Sequence, residues 1–440
     1  MNITVQVILA FGSVLVLLTL MAIVKRIAHT AGLHAEIQRK LVHIGTGLYA
    51  LTLPWLFPDR WPVYMLIVVT LFVMGFLRLP KVAKSGLGST LHSVDRQSYG
   101  DVLLALSIGL CFFLAQGNTV LYVLPIAVLT LADAAAALVG SAYGRRIFKV
   151  EDSHKSVEGS VVFFIVTLLI SLVVLLLFGS FSPANVLALS LMIAAFGTLV
   201  EADSWRGFDN LFLPLGLLVF LKTHGNSDIL HLLVLAMLFL LALLGLKFLA
   251  PKLGLTRHAS RVYVVAVFLL LAVTDIKNAL LPILVLFSHA WCRSKNPCQG
   301  RFPDLDVVAA LALISFGWLT IGNATGNSAI SFYGMHAMGM TMGLAALALG
   351  KRPVLQRVGI ATTIAIGLFF LRVMVVSFNS ANANWAEPLL FSALATLALT
   401  STFPLFLPGF FCRNRIAKLA LLSGVVPLAM YLFEMEMIGK

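Results

Sequence analysis

The chain has 440 residues, 60% of them hydrophobic and 11% charged, with a mean hydropathy of +1.00. A composition this apolar excludes a soluble globular enzyme, and four scattered cysteines, Cys111, Cys292, Cys298 and Cys412, exclude a disulfide framework. The net charge of +13 would suggest nucleic acid in a soluble protein; here retention of Lys and Arg in short cytoplasmic loops accounts for it, and no nucleic-acid partner is expected.

Apolar runs recur at residues 5–24, 61–77, 161–178, 229–246, before 350 and at 389–407. They approach the roughly 17 to 25 residues that cross a bilayer core. Continuous Leu-rich runs are helices rather than barrel strands, because backbone groups in lipid must pair internally. The expected fold is all-α: a polytopic transmembrane helical bundle of about 15 to 16 spans. The first run has no basic leader and no small-residue cleavage site, so it reads as a retained helix.

Basic residues cluster in alternate loops: Lys25, Arg26, Arg39 and Lys40; then Arg78, Lys81, Lys84 and Arg96; then Arg145, Arg146, Lys149 and Lys155. The turns near Gly117 and Ser180 carry none. That alternation predicts an outside N-terminus and cytoplasmic first, third and fifth loops. Residues 201–210 again fall inside, as do Lys247, Lys252, Arg257 and Arg261. The run 262–291 is long. A hairpin tip at Asp275, Ile276, Lys277 and Asn278 is the preferred reading, keeping Lys351, Arg352, Arg357, Arg413, Arg415 and Lys418 inside; a single tilted helix is its rival, and Arg293, Lys295 and Arg301 then lie outside. Acids and histidines gather before residue 225 and thin out after it, which divides the chain into an active region, 1–225, and a further membrane region, 226–440, whose polar oddities are Asp275 with Lys277 and residues 323–333.

Four patches carry chemistry. Arg39, Lys40 and His43 open the second span; positive-inside anchoring explains the cations, but a histidine one turn inside an apolar helix is costly and points to a polar site. Asp133, Ala136 or Ala137, Gly140 and Gly144 recur every three or four residues and so share a helix face. The glycines alone also fit a helix-packing seam, whereas a carboxylate within a span costs roughly 3 kcal/mol or more and marks an ion or substrate site. The stretch EDSHKSVEGS, residues 151–160, places Lys155, Ser156, Glu158, Gly159 and Ser160 before the next helix. Free N–H groups at a helix start hold phosphates, and lysine adds a point charge; equally, Ser156 can simply cap the helix, and Glu151, Asp152 and His154 read as loop solvation. Finally Glu201, Asp203, Asp209 and Asn210 offer hard oxygen ligands of the type Mg²⁺ takes beside a nucleotide, or form a solvated loop. The soluble nucleotide and hydrolase motifs are absent.

The order Asp133…Gly140…Gly144, Lys155-Ser156-x-Glu158-Gly159-Ser160, Glu201…Asp209-Asn210…Pro214, with Arg39-Lys40-Leu41-Val42-His43 and Ser98-x-Gly100-Asp101, resembles the polyprenol kinase family. That family includes phytol, farnesol and dolichol kinases. The resemblance covers roughly residues 35–225. It implies an integral membrane kinase that moves the γ-phosphoryl group of CTP, or another nucleoside triphosphate, to a long-chain isoprenoid alcohol with Mg²⁺. It makes Asp133, Glu158, Glu201 and Asp209 metal ligands or base, and Lys155 catalytic. Gly140, Gly144, Arg145, Lys155, Ser156, Gly159 and Asn210 become nucleotide contacts, with Arg39, Lys40 and His43 near the phosphate or substrate. The alcohol's tail is expected in lipid between helices. Two alternatives are a cytidylyltransferase that makes a CDP-lipid and, from another class, a transporter or flippase. The alcohol, the membrane and the oligomeric state stay open.

Overall fold

The structure is a computed structural model that describes residues 2–33, 35–77, 99–150, 153–204, 207–256, 258–265, 276–300, 302–326, 329–350, 352–378 and 389–438. The chain folds as two compact units, Met1–Ala236 and Met237–Lys440.

The first unit contains α1 (Ile3–Thr30), α2 (Ala35–Leu56), α3 (Trp61–Leu77), α4 (Gly100–Ala115) and α5 (Thr119–Ala127). A π-helical turn, Val128–Ala132, joins α5 to α6 (Asp133–Tyr143). A hairpin of β1 (Ile147–Val150) and β2 (Ser153–Ser156) then leads into α7 (Val157–Phe178), α8 (Pro183–Asp203) and α9 (Asp209–His224). Local chemistry sets these boundaries. Asn2, Asn118, Ser156 and Ser182 each accept a hydrogen bond from an N–H in the first turn of the helix they precede. Gln116 and Gly117, at φ 51° and 88°, turn the chain between α4 and α5.

The helices are apolar outward. On α7, Val161, Ile165, Leu169, Val173 and Leu176 form an exposed stripe, while Gly159, Phe163, Thr167 and Ser171 are buried. Small and hydroxyl-bearing residues inside with leucine outside is the pattern of helices packed in lipid rather than water. Eight helical segments among the described residues are long and apolar enough to cross a membrane, and three shorter apolar helices accompany them. The fold is therefore the all-α polytopic bundle that composition predicts.

The second unit holds the remainder of α10 (Ile229–Lys252), then α11 (Ile276–Lys295), α12 (Pro303–Thr325), α13 (Ile330–Ala348), α14 (Val354–Ser377), α15 (Leu390–Phe406) and α16 (Arg415–Ile438). Helix α13 is its axis, buried along its length and packed by α11, α15 and α16. A Cβ on Gly339 would lie 2.8 Å from both Ser423 Cβ and Thr396 Cγ2, so glycine is what allows three helices to meet there. Ile276, Lys277 and Asn278 form the first turn of α11, so the chain is already helical along most of the expected hairpin tip. Asp275 lies outside the described residues, as do Arg78, Lys81, Lys84, Arg96, Ser98, Glu151, Asp152, Arg257, Arg301 and Lys351.

Among the described residues of this unit is a buried ionic cluster. His289 Nε2 is 2.8 Å from Asp304 Oδ1, and Arg293 donates to Asp304 Oδ2. Asp304→Asn removes the negative partner of both, and breaking such a pair destabilises by about 3 kcal/mol, the low end of the range because Arg293 keeps some solvent contact. A fall in the midpoint of thermal unfolding in detergent is expected; an unchanged midpoint would show the cluster to be structurally idle.

Candidate active site

Lys40, His43, Asp133, Lys155, Glu201 and Asp209 converge at one end of the first unit's bundle. Asp133 follows the π turn and points toward α2, where Lys40 Nζ donates to its Oδ2 at 2.6 Å. His43 Nε2 lies 3.6 Å from the same oxygen and 3.1 Å from the Leu129 carbonyl, which it meets as an N–H donor. All three side chains are buried. Partnering by a lysine 93 positions away is what lets a carboxylate sit in a span.

The second charge pair comes from the stretch 151–160. Residues 153–156 form β2, paired antiparallel with β1 in the register Phe148↔Lys155 and Lys149↔His154. This short hairpin, the one sheet among the described residues, carries Lys155 back over the bundle. Lys155 Nζ donates to Glu201 Oε1 at 2.5 Å and to the Glu201 carbonyl, and lies 3.9 Å from Asp209 Oδ2. Burial works against its charge, but the Glu201 and Asp209 carboxylates outweigh it and hold its pKa above the usual lysine value. The raised pKa means that the stability this ammonium contributes is complete below the unfolded lysine value and is lost only as pH climbs through the folded one, far into the alkaline range.

Both pairs line one cavity of about 310 Å³, together with Arg39, Ala136, Gly140, His154, Ser156 and Gly159. Its size is that of a small-molecule pocket. The small residues make room and hold the walls together. A Cβ on Gly140 would fall 2.9 Å from Ser156 Oγ, and one on Gly159 would fall 2.9 Å from the Ala136 carbonyl oxygen. The glycines thus serve as packing seam and as cavity wall at once. Gly159→Ala pushes α7 off α6; overpacking of this kind costs about 1–3 kcal/mol, and a lowered unfolding midpoint together with lost activity is the expected result.

Not every expected residue reaches the cavity. Glu158 does not line it: its carboxylate accepts the backbone N–H groups of Arg145, at 3.1 Å, and Arg146, at 3.3 Å, and so pins the start of the hairpin to α7. The Arg145 side chain is exposed and is not part of the lining. Gly144 stands behind Ser156, and Ser156 Oγ caps α7 by accepting from Gly159 N at 3.1 Å. Asn210 donates to the Gly100 carbonyl at 2.6 Å, tying α9 to α4. His154, read from sequence as loop solvation, lines the cavity beside Lys155 and Ser156; alternation along β2 assigns it to the face opposite Lys155, so no sequence signal pointed to it.

Among the described residues no group of three or more His, Cys, Asp or Glu side chains is arranged to hold a metal by itself. Asp133 and Glu201 face ammonium groups instead. Mg²⁺ beside a nucleotide takes only one or two carboxylates and fills its remaining positions with phosphate oxygens and water. Glu201 and Asp209, both beside Lys155, fit that smaller requirement.

Fold and cavity together define a multi-pass membrane protein with a buried, doubly charge-paired polar site at one end of a helical bundle. Its sequence is 35% identical over 187 residues to a phytol kinase of Synechocystis sp., a match that covers 41% of this chain and 76% of the relative. The chain belongs to the phytol kinase-like family. It matches no family model and no solved structure.

Proposed function

We propose that the protein is a prenol kinase that transfers the γ-phosphoryl group of CTP to the hydroxyl of a long-chain isoprenoid alcohol at the cytoplasmic membrane face. The observation that carries this reading is the polar cavity in which two lysines, each held by a carboxylate, face one space. Phosphoryl transfer requires positioning and charge neutralisation more than covalent catalysis, and this cavity offers both.

In this reading the triphosphate lies against Lys155 and the small-residue wall of Gly140 and Gly159. Lys155 neutralises charge on the transferring group, and its two carboxylate neighbours keep it charged and fixed. Magnesium, when bound, would be held by Glu201 and Asp209 and would neutralise and align the phosphates. Asp133 stands on the other side of the cavity. It orients the attacking hydroxyl and accepts its proton as the new O–P bond forms and the bond to the leaving CDP breaks, while Lys40 and His43 hold the carboxylate in place.

The test uses purified full-length protein in detergent with CTP, Mg²⁺ and either a prenol or a lipid phosphate. CDP together with a prenyl phosphate supports the kinase. Pyrophosphate would instead identify a cytidylyltransferase, and no turnover with either acceptor would overturn both enzymatic readings.

A further inference from the structure

A second cavity adjoins the polar one, and its lining is largely hydrocarbon. Building on the kinase reading, we propose that this cavity is an internal, closed-ended slot for the acceptor's isoprenoid chain, and that its floor limits the chain length accepted. The tail is then held inside the first unit, not in lipid between helices as the sequence suggests.

Continuity with the charge site is the first argument. Arg39 lines both cavities. His43 lines the slot, while its ring nitrogen is 3.6 Å from the Asp133 oxygen that faces the polar cavity. Asn210 lines the slot and its neighbour Asp209 the polar cavity. A hydroxyl at the head of a chain in the slot therefore arrives beside His43 and Asp133.

Shape is the second. On α2 the slot is lined at Arg39, His43, Thr46, Ala50 and Leu53, a spacing of three and four residues that keeps to one helix face. At 1.5 Å per residue that face runs about 21 Å from charged mouth to apolar floor. Spread over such a length, a volume of about 110 Å³ makes the slot narrow, about the width of one chain. The opposing faces are Leu17 and Met21 on α1, Ile67 and Val73 on α3, and Leu104 and Ile108 on α4.

Enclosure is the third. Helix packing closes a ring around the slot: α1 on α2, α2 on α5, α5 on α4, α4 on α3, and α3 back on α1. Tyr122 of α5 donates to the Ala50 carbonyl at 2.8 Å, and Tyr64 meets Phe112 edge-on, which fixes two of these contacts. The far end is stopped by the buried Leu53 and Leu66 and by the Tyr49 hydroxyl, which donates to Ser13 Oγ. Beyond them Gln6 donates to Asp59 at 2.5 Å, a polar plug that a hydrocarbon tail does not displace.

Two measurements on the full chain test this. In the first, a prenol carrying a photoreactive diazirine at its tail end is irradiated with the protein, without nucleotide. Adducts on α2 or α3 near Leu53 and Leu66 are expected. Adducts confined to outward residues such as Phe72 or Leu169 would overturn the slot even if the protein proves to be a kinase, and floor adducts would stand even if no phosphoryl transfer is found. In the second, kcat/KM is compared for alcohols of rising isoprene number. Ala105→Phe is expected to lower the ratio of long-chain to short-chain kcat/KM by about 10-fold or more, because a pocket rejects groups for which it has no room. Leu53→Ala should move the limit toward longer chains, and the lipid-facing Phe72→Ala should leave the ratio as it was. A ratio unchanged in both lining variants would overturn the length limit, and if Ala105→Phe does not fold, Leu53→Ala and the crosslink decide.

Discussion

Lys155→Met is expected to lower phosphoryl transfer by about 10²- to 10³-fold, the usual effect of removing one preorganised group that stabilises transition-state charge. Two consequences must be separated. The variant also leaves Glu201 buried without its cation, and breaking such a pair destabilises by about 3–5 kcal/mol. The double variant Lys155→Met/Glu201→Gln removes both charges and should recover most of the unfolding midpoint while remaining inactive. Recovery of stability without recovery of activity assigns the lysine to the substrate. Wild-type rates in Lys155→Met would show that this ammonium merely locks β2 to α8.

The second large effect concerns Asp133 and Lys40. Asp133→Asn and Lys40→Met should each reduce activity by at least about 10²-fold, and the double variant should be little worse than either single one, because residues that act as a unit lose their effect together. The 2.6 Å contact between them is the reason. An aspartate without its lysine loses its orientation, and a lysine without its aspartate is an isolated cation within a span. Strict additivity of the two losses would mean that Lys40 contacts phosphate independently of Asp133, as the sequence also allows.

Most of the site was legible because its residues follow local rules. Asp133, Ala136 and Gly140 stand at helical spacing, and the structure places them along one cavity wall. Lys155, Ser156 and Gly159 are close in sequence and stay close in space. What sequence could not supply is partnership over distance. Lys40 has the appearance of a positive-inside anchor until its position across from Asp133, 93 residues on, is seen. Glu158 and Glu201 are the same residue type in similar surroundings, yet one closes a hairpin and the other holds a buried lysine. The difference lies in a four-residue strand whose pattern is too short to stand out against its helical neighbours. The apolar slot was invisible for a related reason: six helices contribute to it or enclose it, and most of their faces read alone as ordinary lipid-facing or core leucine.

The π turn at Val128–Ala132 has a consequence for insertions and deletions. Helices α5 and α6 are nearly one continuous helix carrying one surplus residue just before Asp133. Each residue of an α-helix advances the face by about 100°, so deleting one residue from this turn would restore a regular helix and swing Asp133, Ala136 and Gly140 away from Lys40 and Lys155 together. The aim of this wall of the cavity thus depends on a count of residues, and a single-codon deletion that changes no side chain in the site would take it apart.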